Sequence, residues 1–115
     1  MGLRNKQLYH DKNLFFITST SQDWLHLFII GNSMQVLADN LNFYSKKYEV
    51  SILGYVFMPN HIHLIAHFPT SIHRIDFIRD FKSYTSKKIL QEIEKYQPQQ
   101  LEVLCFQRYK QNYKV

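Results

Sequence analysis

The sequence predicts an α+β fold of the ferredoxin-like type, an antiparallel sheet with helices in the order βαββαβ. Short runs rich in aromatic and β-branched residues alternate with two long segments whose apolar residues recur every three or four positions. Two of the short runs are separated only by Met58-Pro59-Asn60, the spacing of an antiparallel hairpin. These two observations carry the prediction.

One strand and one helix are predicted for the first half of the chain. Leu14 to Thr20 (LFFITST) has the composition of a strand. Trp24 to Ile30 is apolar without a clear period, so a short helix and a second extended piece both remain open. The break Gly31-Asn32-Ser33 offers a natural N-cap for an amphipathic helix. Its apolar residues are Met34, Leu37, Leu41, Tyr44 and Tyr48.

The second half is predicted to contain the hairpin, a long helix and a final strand. Val50 to Phe57 and His61 to Phe68 are the two hairpin strands. Ser71 can cap a helix that runs to about residue 96 and is stopped by Pro98. Most of its apolar stripe is supplied by Ile75, Ile78, Phe81, Ile89, Ile93 and Tyr96. Leu101 to Gln107 is a candidate for the last strand.

Length and composition indicate one globular domain. A chain of 115 residues is long enough for one core, so we expect a single domain over residues 1–115. A hydrophobic fraction of 45 % excludes a disordered chain. No stretch has the length of a membrane span, and the N-terminus has no apolar core of a secretory signal, which predicts a cytoplasmic protein. The single cysteine, Cys105, is expected to be a small buried side chain.

The charge balance favours an anionic partner. A net charge of +5 and a pI near 9.4 suggest a polyanion, although charge alone is weak evidence. One segment contains Arg74, Arg79, Lys82, Lys87, Lys88 and Lys95. Near the C-terminus, Arg108, Lys110 and Lys114 alternate with Tyr109 and Tyr113. Basic side chains hold phosphates and aromatic rings stack on unpaired bases, so the pattern is compatible with single-strand binding. For any one of these residues, a solvated surface remains the simpler explanation.

Two histidines stand at positions i and i+2 of the second hairpin strand. Alternation places Ile62, Leu64, Ala66 and Phe68 on one face, and that face is a complete apolar core surface. His61 and His63 therefore project from the other face, where two imidazoles can share one metal ion. By spacing alone, two polar residues on the solvent side of a sheet are the commoner case, and the metal site is the alternative.

A family resemblance rests on the stretch MPNHIHLI (residues 58–65) and the helix segment FIRDFKSYTS (residues 77–86). This combination of a His-x-His strand with a downstream Lys-x-Tyr in a helix resembles the single-tyrosine transposases of the HUH endonuclease superfamily, of the insertion-sequence and REP-associated types. The resemblance runs from about Leu14 to Tyr113.

The resemblance implies a transposase that cuts and rejoins single-stranded or hairpin DNA through a covalent phosphotyrosine intermediate. His61 and His63 match the family's metal-binding pair, which implies Mg²⁺ or Mn²⁺, and Tyr84 matches the nucleophile. From the residues alone, a tyrosine at the flank of the apolar stripe, as Tyr84 is, is usually a core-edge residue with its hydroxyl in water. Members of the family commonly act as homodimers in which the tyrosine helix of one subunit serves the histidines of the other.

Two departures from the family pattern leave alternatives open. Lys88 stands where a third metal ligand is often found, and an ammonium group has no lone pair to offer. Asp80, Gln91 or water can take that place, or the chain is an inactive relic that binds hairpin or single-stranded DNA. The chain is also short for the family, which is compatible with truncation at the C-terminus. A replication-initiation or conjugative nicking protein is a more distant alternative, because such domains tend to be larger.

Overall fold

The computed structural model describes residues 2–7, 13–70 and 72–104 of the chain. Four strands and two long helices follow one another as β1 (Gly2–Gln7), β2 (Leu14–Thr20), α1 (Ser33–Lys47), β3 (Ser51–Phe57), β4 (His61–His67) and α2 (Ile72–Tyr96). The predicted α+β class is confirmed. Five of the six elements, β2 to α2, lie where the sequence places them.

The strands form one antiparallel sheet in the order β1-β2-β4-β3. In the centre of the sheet, Thr18 of β2 lies opposite His63 of β4. On the other side of β4, His63 lies opposite Val56 of β3. Residues that face each other across an antiparallel pair project from the same face of the sheet. The arrangement is compatible with a ferredoxin-like fold, and it brings residues from three strands together around His63.

The prediction of a final strand from Leu101 to Gln107 is wrong for residues 101–104. Residues 99–104 are helical, and the remainder of the predicted strand lies outside the described residues. Leu101 and Leu104 are three positions apart, which puts both on one side of a helical turn where they pack against the core. A short apolar run does not distinguish strand from helix by itself, and packing decides here. The sheet edge beside β2 is occupied by β1, which was not predicted.

Both helices cover the same face of the sheet. Buried residues of β2 and β4 join buried residues of α1 and α2 in one cluster, which includes Ile17, Leu37, Leu41, Ile62, Leu64, Ala66, Phe77, Phe81, Ile89 and Ile93. Asn40 and Thr85 form a buried hydrogen bond between the helices, with 3.0 Å from Nδ2 to Oγ1. Ile75, predicted to belong to the apolar stripe of α2, is instead exposed. No helix of the described part of the chain is long and apolar enough to span a membrane.

The ambiguous segment from Trp24 to Ile30 is neither a regular helix nor a strand. A single 3-10 turn spans Gln22–Trp24, and the chain then has no regular secondary structure until α1 begins. Leu27, Phe28 and Ile30 are buried. The segment is hydrogen-bonded to the β3–β4 turn, since the Phe28 N–H donates to the Pro59 carbonyl at 3.0 Å. Hydrogen bonds therefore join the connection from β2 to α1 to the turn that precedes the two histidines.

Candidate active site

Strand β4 separates two kinds of side chain with a strict period of two. Ile62, Leu64 and Ala66 are buried beneath the helices, with at most 1 % of each exposed. His61, His63, Ile65 and His67 alternate with them and are only partly buried. We call the side of the sheet that bears His61 and His63 the open face, because α1 and α2 both pack on the other side. The predicted alternation along this strand is confirmed.

The two imidazoles of His61 and His63 are close together and are held by hydrogen bonds. Their ring centroids are 4.9 Å apart and their planes are inclined by 80°. Nδ1 of His61 lies 2.7 Å from Oδ1 of Asn60, and Nδ1 of His63 lies 3.1 Å from Oγ1 of Thr18. An amide oxygen only accepts, so Nδ1 of His61 carries the hydrogen in this arrangement. The lone pair of that ring is then on Nε2, the atom available to a metal.

Aromatic neighbours pack against both rings. Phe16 stacks on His63 with 5.3 Å between ring centroids and 23° between planes. Trp24 meets the ring of His61 edge-on at 6.0 Å. Such contacts restrict the rotation of the imidazoles. A pair of ligands that is already oriented loses less conformational entropy when it binds an ion.

The histidine pair fits a divalent ion with an incomplete protein shell. Among the residues that the structure describes, no group of three or more His, Cys, Asp or Glu residues is arranged to hold a metal. Two imidazoles therefore leave several coordination positions for water or phosphate oxygens. Nitrogen donors suit Mn²⁺ better than Mg²⁺, which prefers an all-oxygen shell. The two nitrogen donors are compatible with the ions that the family resemblance implies, Mg²⁺ and Mn²⁺, and suit Mn²⁺ better of these two.

Tyr84 lies in the helical layer and not beside the histidines. It belongs to α2, its ring stacks on Tyr44 of α1 at 5.8 Å, and Nζ of Lys87 is 5.2 Å from its centroid. The side chain is 48 % exposed. Because α2 covers the buried face of β4, the structure does not bring Tyr84 and the histidines of one chain together.

Tyr44 is a poor alternative nucleophile although it is adjacent to Tyr84. Its side chain is buried, and burial raises the pKa of its hydroxyl, with the neighbouring Tyr84 and Asp80 acting in the same direction. A buried phenol with a raised pKa is rarely ionised and does not reach a phosphate. Of this stacked pair, only Tyr84 is presented to solvent.

The candidate third ligands of the sequence also lie in the helical layer. The Asp80 carboxylate accepts a hydrogen bond from the Tyr48 hydroxyl and another from Nε of Arg79 at 3.1 Å. The Tyr48 hydrogen bond, with Arg79 and Lys47 also contributing, lowers the pKa of Asp80 below its usual range. Asp80, Lys88 and Gln91 are all on α2. None of them completes the shell of His61 and His63 within the same chain.

A protein-family model described as "Transposase IS200 like" matches residues 27–114. The chain belongs to this family. Membership of a transposase family implies that the chain binds DNA and takes part in DNA transposition, and it confirms the resemblance derived from the histidine strand and the following helix. The match covers both histidines and Tyr84. No curated protein sequence matches the chain.

Sequence reasoning missed the residues that support the histidines. Thr18 is distant in sequence and reaches His63 only through the register of β2 on β4. Asn60 immediately precedes His61, and its adjacency was a usable signal because an Asx side chain often bonds its neighbours. Trp24 sits in the segment whose conformation the sequence left open. The predicted C-terminal basic and aromatic residues, from Arg108 to Lys114, lie outside the described residues.

Proposed function

We propose that this member of the transposase family is a divalent-metal-dependent enzyme that cuts and rejoins single-stranded DNA through a phosphotyrosine intermediate. His61 and His63 hold Mn²⁺ or Mg²⁺, and Tyr84 of a second copy of the chain is the nucleophile. The observation that carries the proposal is the pair of adjacent imidazoles on the open face, with Nδ1 of each engaged by Asn60 or Thr18. With Nδ1 of each ring occupied in this way, Nε2 is the nitrogen that each ring has left to offer an ion.

The residues of the chain have defined tasks in this proposal. Asn60 and Thr18 orient the imidazoles, and the Asn60 amide oxygen favours a proton on Nδ1 of His61. The bound ion would withdraw charge from the scissile phosphate and stabilise the leaving oxygen. The Tyr84 oxygen attacks phosphorus, so that a Tyr–O–P bond forms while the bond from phosphorus to the 3′-oxygen breaks, and the phenolic proton is released as the 3′-oxygen becomes a hydroxyl. Attack by a 3′-hydroxyl on the phosphotyrosine reverses the step, so rejoining requires no further energy source.

The separation of Tyr84 from the histidines is the reason for invoking a second copy. In one chain, the sheet lies between the two groups, and a side-chain rotation does not carry a phenol from one face to the other. Apart from Tyr84 itself, α2 exposes apolar side chains that are available for contact with another molecule, namely Ile75 and Leu90. Lys87, beside the Tyr84 ring, adds positive charge where a phosphate would approach.

Adduct formation tests the nucleophile. The protein is incubated with Mn²⁺ and a labelled single-stranded end sequence of the element, and the covalent adduct is followed on a denaturing gel. Tyr84→Phe is expected to abolish the adduct. Tyr96→Phe is a matched control, because Tyr96 is on the same helix, is also 48 % exposed and also has a lysine nitrogen 5.2 Å from its ring. An adduct that persists in Tyr84→Phe would contradict the assignment, and peptide mapping would then identify the tyrosine that carries the DNA.

Mixing two inactive variants tests the second copy. Tyr84→Phe retains both histidines, and His61→Ala with His63→Ala retains the tyrosine. If the site is shared between subunits, the mixture is expected to recover adduct formation on the histidine-deficient chain, which a tag of different size identifies. If each chain acts alone, the mixture stays as inactive as its components, and the proposed arrangement is wrong.

A DNA-binding relic without cleavage activity is the second candidate, and Lys88 is the observation that favours it. In the relic, DNA binding persists but Mn²⁺ does not bind the histidine pair. Titration of free Mn²⁺ by electron paramagnetic resonance separates the two functions, since the enzyme is expected to bind the ion in a manner that depends on both His61 and His63. Tight DNA binding without any histidine-dependent Mn²⁺ binding would favour the relic.

A further inference from the structure

Trp24 is an exposed indole beside the histidine pair. It is the only tryptophan of the chain, and 61 % of its side chain is accessible to solvent. Leu27 and Phe28 of the same segment are buried, so the segment has other residues that anchor it to the core. Trp24 is therefore not needed to anchor the segment, and its indole is accessible to a ligand.

The backbone at Trp24 is held in an unusual conformation. Asp23 and Trp24 are consecutive residues with φ of 51° and 60°, in the left-handed region that side chains other than glycine rarely adopt. Such conformations persist when the surrounding contacts specify them, and they are concentrated at functional positions. Two such residues in succession stand directly before the buried part of the segment and beside the histidine pair.

Hydrogen bonds tie this segment to the turn that precedes His61. The Ser21 N–H donates to the Asn60 carbonyl at 2.9 Å, and Nδ2 of Asn60 donates to the Trp24 carbonyl at 3.2 Å. The other end of the same Asn60 amide contacts Nδ1 of His61. One side chain therefore positions both the indole and the imidazole, whose ring centroids are 6.0 Å apart. The backbone that bears the indole is therefore tied to the turn that bears the histidine pair.

We propose that Trp24 forms a base-stacking subsite, on which one unpaired nucleobase next to the phosphate at His61 and His63 stacks. This inference rests on the proposed function, because it takes single-stranded DNA at the histidine pair as given. An aromatic face beside a phosphate site is the combination by which proteins bind single strands, and stacking tolerates any base. Trp24 precedes residue 27, where the family match begins, so the subsite lies outside the part of the chain that the family describes.

Intrinsic fluorescence tests the subsite directly, because the signal of the only tryptophan comes from Trp24. The Tyr84→Phe variant, which is expected to form no adduct, is titrated in Mg²⁺ with single-stranded end sequences, while the anisotropy of a dye on the DNA reports total binding. Stacking is expected to quench the indole emission at saturation. In a series of oligonucleotides with single abasic sites, the quenching is expected to disappear at one position and to persist at the others.

Affinity variants supply a second measurement. Trp24→Ala is expected to weaken DNA binding roughly tenfold, the effect of losing one base stack, whereas Trp24→Tyr keeps most of the affinity. Phe43→Ala is the matched control, because Phe43 is 60 % exposed but lies on α1, in the layer opposite the open face, and its removal is expected to leave binding unchanged. Circular dichroism of each variant verifies that the fold is retained.

The outcomes distinguish this inference from the proposed function. DNA binding without quenching, or equal affinities for the Trp24→Ala and unmodified proteins, overturns the subsite and leaves the cleavage chemistry intact. Position-specific quenching in Tyr84→Phe, together with no adduct formation by the unmodified protein in Mn²⁺, supports the subsite and overturns the proposed chemistry instead. Absence of DNA binding by every variant overturns both.

Discussion

The two faces of β4 differ in what they contribute, although their residues alternate along one strand of seven residues. The side of Ile62, Leu64 and Ala66 is covered by two helices and carries the packing of the domain. The side of His61 and His63 has no helix of the described chain on it, and its side chains contact Asn60, Thr18 and aromatic rings. Stability is concentrated on one face, so the other is free to carry polar side chains in a functional geometry.

Adjacent residues of β4 provide the strongest test of this difference. Leu64→Ala removes a side chain that is 1 % exposed and should lower the free energy of unfolding by about 2–5 kcal/mol, because it leaves a cavity in the core. His63→Ala, one position away, should lower it by less than about 1 kcal/mol, because no core contact is lost. Urea denaturation of both variants measures the two values.

For Mn²⁺ binding, the larger effect should come from His63→Ala and the smaller effect from Leu64→Ala, the reverse of their effects on stability. His63→Ala is expected to abolish histidine-dependent Mn²⁺ binding, whereas the fraction of Leu64→Ala that remains folded should bind the ion as the unmodified protein does. Equal loss of stability in both variants would contradict the division between the faces. If His63→Ala binds Mn²⁺ with the same affinity as the unmodified protein, the proposed metal site on the open face is wrong.

Local patterns in the sequence accounted for most of the fold. The strand at Leu14–Thr20, the hairpin and both long helices follow from period-two and period-3.6 patterns, which depend on neighbouring residues only. The final strand failed because a short apolar run from Leu101 is compatible with either structure, and packing of Leu101 and Leu104 on the core favours a helical turn. The edge strand Gly2–Gln7 was missed because polar residues interrupt its sequence.

The candidate site was predictable only in its local part. Alternation on a strand, a local property, placed His61 and His63 on one face, and the family resemblance made them the candidate metal ligands. Thr18 could not be assigned to His63, because strand register is decided by the whole sheet. The position of Tyr84 relative to the histidines depends on which face α2 covers, which no local pattern reveals. Long-range arrangement is thus the part of this site that required the structure.

A conservative substitution on the open face gives an effect of intermediate size. Thr18→Val removes the hydroxyl 3.1 Å from Nδ1 of His63 and nearly preserves the shape of the side chain. It is expected to weaken Mn²⁺ binding roughly tenfold or more, as the loss of a partner that orients a metal ligand does. The free energy of unfolding should change by less than about 1 kcal/mol. Mn²⁺ titration and urea denaturation measure the two effects.

Thr20 offers the matched control for this substitution. It lies on the same strand and the same face, two residues from Thr18 and opposite His61 in the register. Thr20→Val should leave Mn²⁺ affinity close to that of the unmodified protein, because the partner of Nδ1 in His61 is Asn60 and not Thr20. If both threonine variants weaken Mn²⁺ binding equally, the loss of a polar side chain from the open face is the cause, and the orientation of His63 by Thr18 is not.

The smallest expected effect concerns the helical layer and depends on pH. The Tyr48 hydroxyl, and next Arg79 and Lys47, lower the pKa of Asp80, so the ionised carboxylate is more stable in the folded protein than in the unfolded chain. A carboxyl group of this kind contributes stability above its unfolded pKa and loses that contribution as the pH falls through its folded pKa. Asp80→Asn should therefore lower the melting temperature at about pH 7 and make progressively less difference on acidification to about pH 3.

Asp76→Asn is the control for Asp80→Asn. The Mn²⁺ affinity of both variants is also measured, because it tests whether the helical layer contributes to the site on the open face. Asp76 pairs with the same Arg79 at 3.2 Å but is 40 % exposed, against 14 % for the Asp80 side chain, so its loss should lower the melting temperature less. Neither variant should change Mn²⁺ affinity, because both carboxylates lie on the helix that covers the buried face. A specific loss of Mn²⁺ binding in Asp80→Asn would mean that Asp80 of a second copy completes the shell of His61 and His63, and the helical layer would then share the chemistry of the open face.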